Sequence, residues 1–206
     1  MTTPGSERPR WIAYRDGVLE ADGVPSPSKF IVDGRDGRLV FTGGRDLFDA
    51  ADLVLWIPDD RFDAVQLLLA AEPLDDPDGE LADKHAAYHG HAGPVRFAHA
   101  TIVQGRDPEG VYDAEELSAP NPLHTIEPRL CAVLNRLTED LRTLAARDVR
   151  IRLEHPIAVG VDDLGADLRT RVGIVRLEWP EPLTDPSSAE GTISGWIDEA
   201  RGGIDG

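Results

Sequence analysis

The chain has 206 residues, 41% hydrophobic and 29% charged, enough for one domain or two small ones with a sizeable core. Its net charge of −17 repels phosphate backbones and anionic bilayers, so neither nucleic acid nor a membrane surface is an expected partner. No run approaches the roughly 20 apolar residues of a membrane helix, the N-terminus lacks a signal-peptide core, and the single cysteine, Cys131, excludes an internal disulfide. A cytoplasmic protein is the expectation.

Residues 1–28 are rich in Pro, Gly and Ser and read as an irregular arm carrying Trp11 and Tyr14. Phe30 to Phe41 reads as a hairpin around an Asp-Gly turn, and Leu53 to Ile57 as a buried strand ended by Pro58. Asp59 or Asp60 then caps an expected helix on which Phe62, Val65, Leu68 and Leu69 recur at helical spacing. Glu80 to His89 reads as a second helix stopped by Gly90, and Val95 to Val103 as a strand. Gly105 to Gly110 reads as a turn or bulge, Val111-Tyr112 as a short strand, and Asp113 to Leu117 as one helical turn.

Thr125 caps an expected long helix over 126–146, with Leu130, Val133, Leu134, Leu137, Leu141 and Leu144 in one stripe. Val149, Ile151 and Leu153 alternate as a strand, and Ile157 to Val161 reads as another. In the next, Gly173 shifts the alternation from Leu168 and Thr170 to Val175, Leu177 and Trp179, which predicts a β-bulge. Asp185-Pro186 opens a closing amphipathic helix with Ile193, Trp196, Ile197 and Ala200. The fold class is α+β and mostly antiparallel. The organisation reads as an arm (1–28), a middle part (29–117) and a C-terminal α+β part (118–206).

Four of the six histidines crowd between His85 and Ala100. His85 and His89 lie one helical turn apart, a spacing that lets two imidazoles reach one metal, with His91 or Asp83 completing a three-ligand set. The alternative is a polar loop after a short helix. Tyr88, Arg96 and His99 are further candidates to line a pocket. Arg96, Arg106, Arg169, Arg171 and Arg176 are the cations best placed to meet a carboxylate; the competing reading is cross-strand pairing with Glu154, Asp167 or Glu178. Asp75-Asp76 and Asp162-Asp163 lack the EF-hand spacing and read as turns, and no P-loop, dinucleotide fingerprint or Ser-His-Asp order is present.

The order Ala114-Glu-Glu-Leu117, Asn121-Pro122-Leu123, Glu127, Leu130 to Asn135, Gly160-Val-Asp162, Leu164 to Arg169 and Val175 to Leu183 resembles the C-terminal domain of the HugZ-type haem-utilisation proteins. In that family it follows a split barrel of the FMN-binding kind, so the resemblance implies a partial, split-barrel-like part over 29–117. The resemblance implies a haem-binding protein or haem-dependent enzyme, with His85, His89 or His91 as axial ligand and an Arg on propionate. It also implies a homodimer, for which a short barrel half with open sheet edges is an independent reason. The alternative is a non-catalytic binding or regulatory protein that kept the fold without a cofactor. The family's helix carries Asn, Asp and His in close succession, whereas Asn135 to Asp140 holds no histidine. FMN is less well supported than haem, since neither a basic phosphate cluster nor a glycine-rich loop before a helix is present. A divalent metal is a further option.

Overall fold

The computed structural model describes residues 14–44, 46–59, 63–90, 96–118 and 120–202. The chain divides into two compact units, Met1–Pro120 and Asn121–Gly206.

The first unit is built on strands β1 (Asp16–Ala21), β2 (Val24–Val32), β3 (Leu39–Gly43), β4 (Leu53–Ile57), β5 (Val65–Pro73), β6 (Arg96–Asp107) and β7 (Gly110–Asp113), with helix α1 (Asp46–Asp49) between β3 and β4. All pairings are antiparallel in the order β3-β2-β1-β4-β5-β6-β7. β3 also pairs with β6, Leu39 opposite Ala100 through Gly43 opposite Arg96, which closes six strands into a barrel. Phe30, Leu39, Phe41, Leu55, Leu67, Ala98, Ala100 and Ile102 fill its core. The α+β, split-barrel-like class read from the sequence is what the structure has.

Two expectations fail here for one reason. The stretch 16–28, read as arm, is β1 and half of β2, joined at Asp22-Gly23 with φ of 49° and 82°. That pair supplies the positive φ values of a tight hairpin, while its flanking strands look loop-like because Pro25, Ser26, Pro27 and Ser28 face outward or partner β1 at low hydrophobicity. The expected helix after Pro58 is β5. Its Leu67-Leu68-Leu69 run suits either period, and unpaired edges on β4 and β6 decide for strand. Leu67 is buried while Leu68 is 38% exposed. Burial alternates over Leu67 to Ala70, and the register shift between Leu68 and Leu69 is taken up on β6, where Val103 is left without a partner in the ladder. With β1 and β5 in place the barrel closes, so open edges supply no reason for dimerisation. Phe62 and Trp11 lie outside the described residues.

Helix α2 (Glu80–His89) ends at Gly90, whose φ of 81° favours glycine. It packs on the outer face of β2 and β3, where Ile31 and Val40 are fully buried. β6 runs through the expected turn at Gly105, where a side chain would collide with Leu117 and Leu67. Asp113 caps α3 (Ala114–Leu117) with Glu116 in a capping box.

In the second unit β8 (Ile157–Val161), β9 (Gly165–Thr170) and β10 (Gly173–Glu178) form a three-stranded sheet in the order β10-β9-β8 that packs on helices. The expected long helix is two, α4 (Glu127–Leu134) and α5 (Thr138–Leu144), followed by a π-helical turn over Ala145–Val149. The break has a physical cause. Asn135 turns its amide onto the edge of β8 (Ile157–Val161), accepting from the Ala158 N–H at 2.8 Å and donating to its carbonyl at 3.0 Å. Glu127 accepts the Val161 N–H and Asn121 donates to the Val161 carbonyl, so side chains satisfy an edge that no strand covers. Leu130, Leu134, Leu141 and Leu144 are buried as the stripe requires, and Cys131 packs against the same core. The expected strand at 149–153 is absent, with Val149 and Ile151 exposed. The expected bulge at Gly173 is a hairpin between β9 (Gly165–Thr170) and β10 (Gly173–Glu178), in which Thr170 pairs with Gly173. The last helix, α6 (Ala189–Gly202), begins after a turn in which Asp185 accepts the Ser187 N–H.

Leu134→Ala removes a fully buried side chain from this core. A loss of about 2–5 kcal/mol is expected in denaturant unfolding, and an unchanged midpoint contradicts the packing described.

Candidate functional site

The fold gathers part of the histidine cluster. α2 places His85 and His89 one turn apart against the barrel wall, ring centroids 4.7 Å apart and tilted by 57°. His85 Nε2 lies 3.3 Å from the Lys29 carbonyl and His89 Nε2 lies 2.9 Å from that of Phe30. A carbonyl only accepts, so in each contact Nε2 carries the proton and Nδ1 keeps its lone pair. Phe97 meets the His85 ring edge-on at 5.3 Å. Tyr88 is buried beside them, its ring 5.8 Å from the Arg15 guanidinium.

Burial pushes both imidazoles toward the neutral form, more than their carbonyl partners offset. His89 is driven down to about 4, its neighbours His85 and Lys29 adding to the effect. A cavity of about 430 Å³ opens beside the pair, bordered by Gly17, Lys29, Thr42 and Pro58.

The other candidates separate from this cavity. His91 lies outside the described residues. Arg96 is exposed opposite Gly43 on the closing strand and lines neither cavity. His99, opposite Val40 on β6, borders a different cavity of about 560 Å³ together with Asp33 and Asp36 of the β2–β3 turn. Burial, then Arg38, lower the His99 pKa against the opposing pull of Asp36, Asp33 and Glu72. Of the remaining arginines, Arg171 and Arg176 follow the pairing alternative. Arg176 is buried between Asp167 and Asp162, Arg171 reaches Glu154 at 3.4 Å, and Arg106 donates to Gln66. Asp162 also accepts the Leu164 and Gly165 N–H groups, a turn as expected.

Sequence reading missed Lys29, Thr42, Asp33 and Asp36 as site residues. Asp33-Gly-Arg-Asp carries a turn signature that hides a cluster, and Lys29 and Thr42 meet the histidines only where α2 docks on β2 and β3.

No protein-family model matches the chain, and no curated protein matches it. Among solved structures, a protein of unknown function from Agrobacterium tumefaciens superposes with a TM-score of 0.72 at 14% identity, covering 95% of this chain and 100% of that one. A heme binding protein from Mycobacterium smegmatis superposes with a TM-score of 0.38 at 18% identity, covering 95% of this chain and 99% of that one. The first of these shows a shared fold.

The depressed histidine pKa values have a sign that can be checked. Between the ordinary value of 6.5 and about 4, the unfolded chain binds protons that folded His89 refuses. The stabilising neutral state is complete above that window and is lost as pH falls through it. The denaturant midpoint is therefore expected to drop on acidification from about pH 6.5 to about pH 4. In His85→Gln/His89→Gln the drop is expected to be shallower; an equal slope assigns it to other groups.

Proposed function

We propose that this chain is a ligand-binding protein of the split-barrel type that takes haem at the α2 cavity, as its resemblance to the HugZ-type proteins implies. The observation that carries the reading is the neutral imidazole pair, His85 and His89, beside a cavity of about 430 Å³. The donor set would fit: His85 or His89 would hold the iron as a neutral imidazole, its orientation fixed by the ring N–H tied to a backbone carbonyl. Lys29, at the same cavity, replaces Arg96 as the cation for a propionate. Haem held there would supply iron redox chemistry. The chain's residues hold it, orient it and keep the ligating imidazole unprotonated.

One observation favours a second reading, a non-catalytic protein that kept the fold without a cofactor. Both Nε2–H groups are already engaged on β2, so the pair serves as an anchor of α2 with no ligand at all. Haem titration of the apo-protein separates the two. A saturable Soret band, lost in His85→Ala/His89→Ala but not in His99→Ala, supports haem binding. No saturable band, or a band indifferent to the pair, supports the anchor.

We further propose a homodimer in the cytoplasm. No helix among the described residues is long and apolar enough to cross a membrane. Leu68, Val103 and Val111, exposed on the neighbouring strands β5, β6 and β7, are the apolar surface that supports self-association. Light scattering after size exclusion is expected to give twice the 22.4 kDa chain mass, with more dimer at high salt because the charge is screened. A monomer mass at all concentrations rejects it.

A further inference from the structure

His99 is a buried side chain at a cluster of carboxylates. It is 8% exposed, and its Nε2 makes no hydrogen bond among the described residues. That same atom points at two carboxylates, lying 3.5 Å from Asp33 Oδ2 and 4.0 Å from Asp36 Oδ1. The three donor atoms all fall within 4.8 Å of one another. Two donors on one transition-metal ion, each about 2.0–2.2 Å from it, stand about 3–3.6 Å apart at octahedral to trigonal angles. The Asp33–His99 pair already has that separation, and the Asp36 pair needs a shift of under about 1 Å.

The carboxylates are held by second partners in the way ligating carboxylates are. Asp33 Oδ1 accepts the Arg35 backbone N–H at 3.0 Å, and Asp36 Oδ1 accepts that of Arg38 at 3.0 Å. Asp33 is 2% exposed and fixed inside the turn, its chain neighbour Val32 ending β2. The guanidiniums of Arg35 and Arg38 occupy further lone pairs of Asp33 and Asp36. A carboxylate has about four such sites, so an ion and a guanidinium are compatible on one group. The Arg35 side chain is 55% exposed, and Arg38 also donates to Glu72 at 2.9 Å. Six carboxylates and two arginines line the cavity, so its field attracts cations and opposes anions.

We propose that Asp33, Asp36 and His99 form a binding site for a divalent transition-metal ion, one imidazole and two carboxylates on one face with the other positions open to the cavity. The imidazole selects zinc or iron over magnesium and calcium, which prefer oxygen alone. The site lies apart from the His85–His89 cavity and stands whether or not haem binds there.

Titration calorimetry of tag-free, full-length protein with Zn²⁺ is expected to show one ion per chain. His99→Ala and Asp36→Asn are expected to weaken binding at least tenfold, and His85→Ala/His89→Ala to leave it within twofold. Mn²⁺ is expected to broaden the His99 imidazole proton resonances selectively. Absence of stoichiometric Zn²⁺ binding overturns the proposal. So does binding that survives both cluster variants, or that disappears with the His85–His89 pair. Asp36 is partly exposed, so Asp36→Asn carries the test if His99→Ala does not fold.

Discussion

The pairing of β3 with β6 is the constraint on which the first unit depends. Leu39 to Gly43 lies along Arg96 to Ala100, residues more than fifty positions away, and that ladder converts an open sheet into a barrel. Closure removes the exposed edges that an antiparallel sheet otherwise leaves to solvent or to another chain. It also divides each strand into two environments. Phe41, Ala98 and Ala100 face the interior, and Val40 and His99, opposite one another in the ladder, lie on the outside. An outer face this apolar, with Ile31 and Val40 fully buried, requires a cover, and α2 supplies it.

Both candidate sites follow from that arrangement. α2 brings His85 and His89 against β2, where two backbone carbonyls receive them. The β3–β6 ladder brings His99 beside the β2–β3 turn, where Asp33 and Asp36 stand. The histidines thus divide into two chemically distinct groups. One pair donates to backbone and is driven neutral by burial. The single histidine of the other group faces carboxylates, its Nε2 without a hydrogen bond among the described residues. Crowding in the sequence is shared by both, yet the two groups border different cavities.

The second unit meets the same edge problem with side chains. β8 is the outer strand of its sheet, and Asn121, Glu127 and Asn135 hydrogen-bond its free groups. That use of Asn135 interrupts the helix at a position where the apolar stripe continues without a break. The buried Arg176, paired with Asp162 and Asp167, is likewise a structural tie between β10 and its neighbours. It would be read as a ligand-binding cation on charge alone.

The sequence by itself determined those elements whose signal is local. α2 has its helical spacing and its glycine stop, the β3–β4 region has short apolar runs with turn residues, and the leucine stripe of α4 and α5 has a 3.6-residue period. It also determined the α+β, mostly antiparallel class, because most strands and helices carry their own local pattern; the split barrel was implied only by the resemblance of the C-terminal half to a known family. Tertiary structure decided what a local pattern cannot encode. Leu67-Leu68-Leu69 is compatible with helix and strand, and only hydrogen-bond partners on both sides made it β5. Asn135 has no helix-breaking propensity strong enough to predict the break; the edge of β8 imposed it. The sites divide in the same way. The i, i+4 spacing of His85 and His89 was legible, since one helix carries both. The meeting of Asp33, Asp36 and His99 was not, since a register between β3 and β6 sets it, and register is a property of the closed barrel.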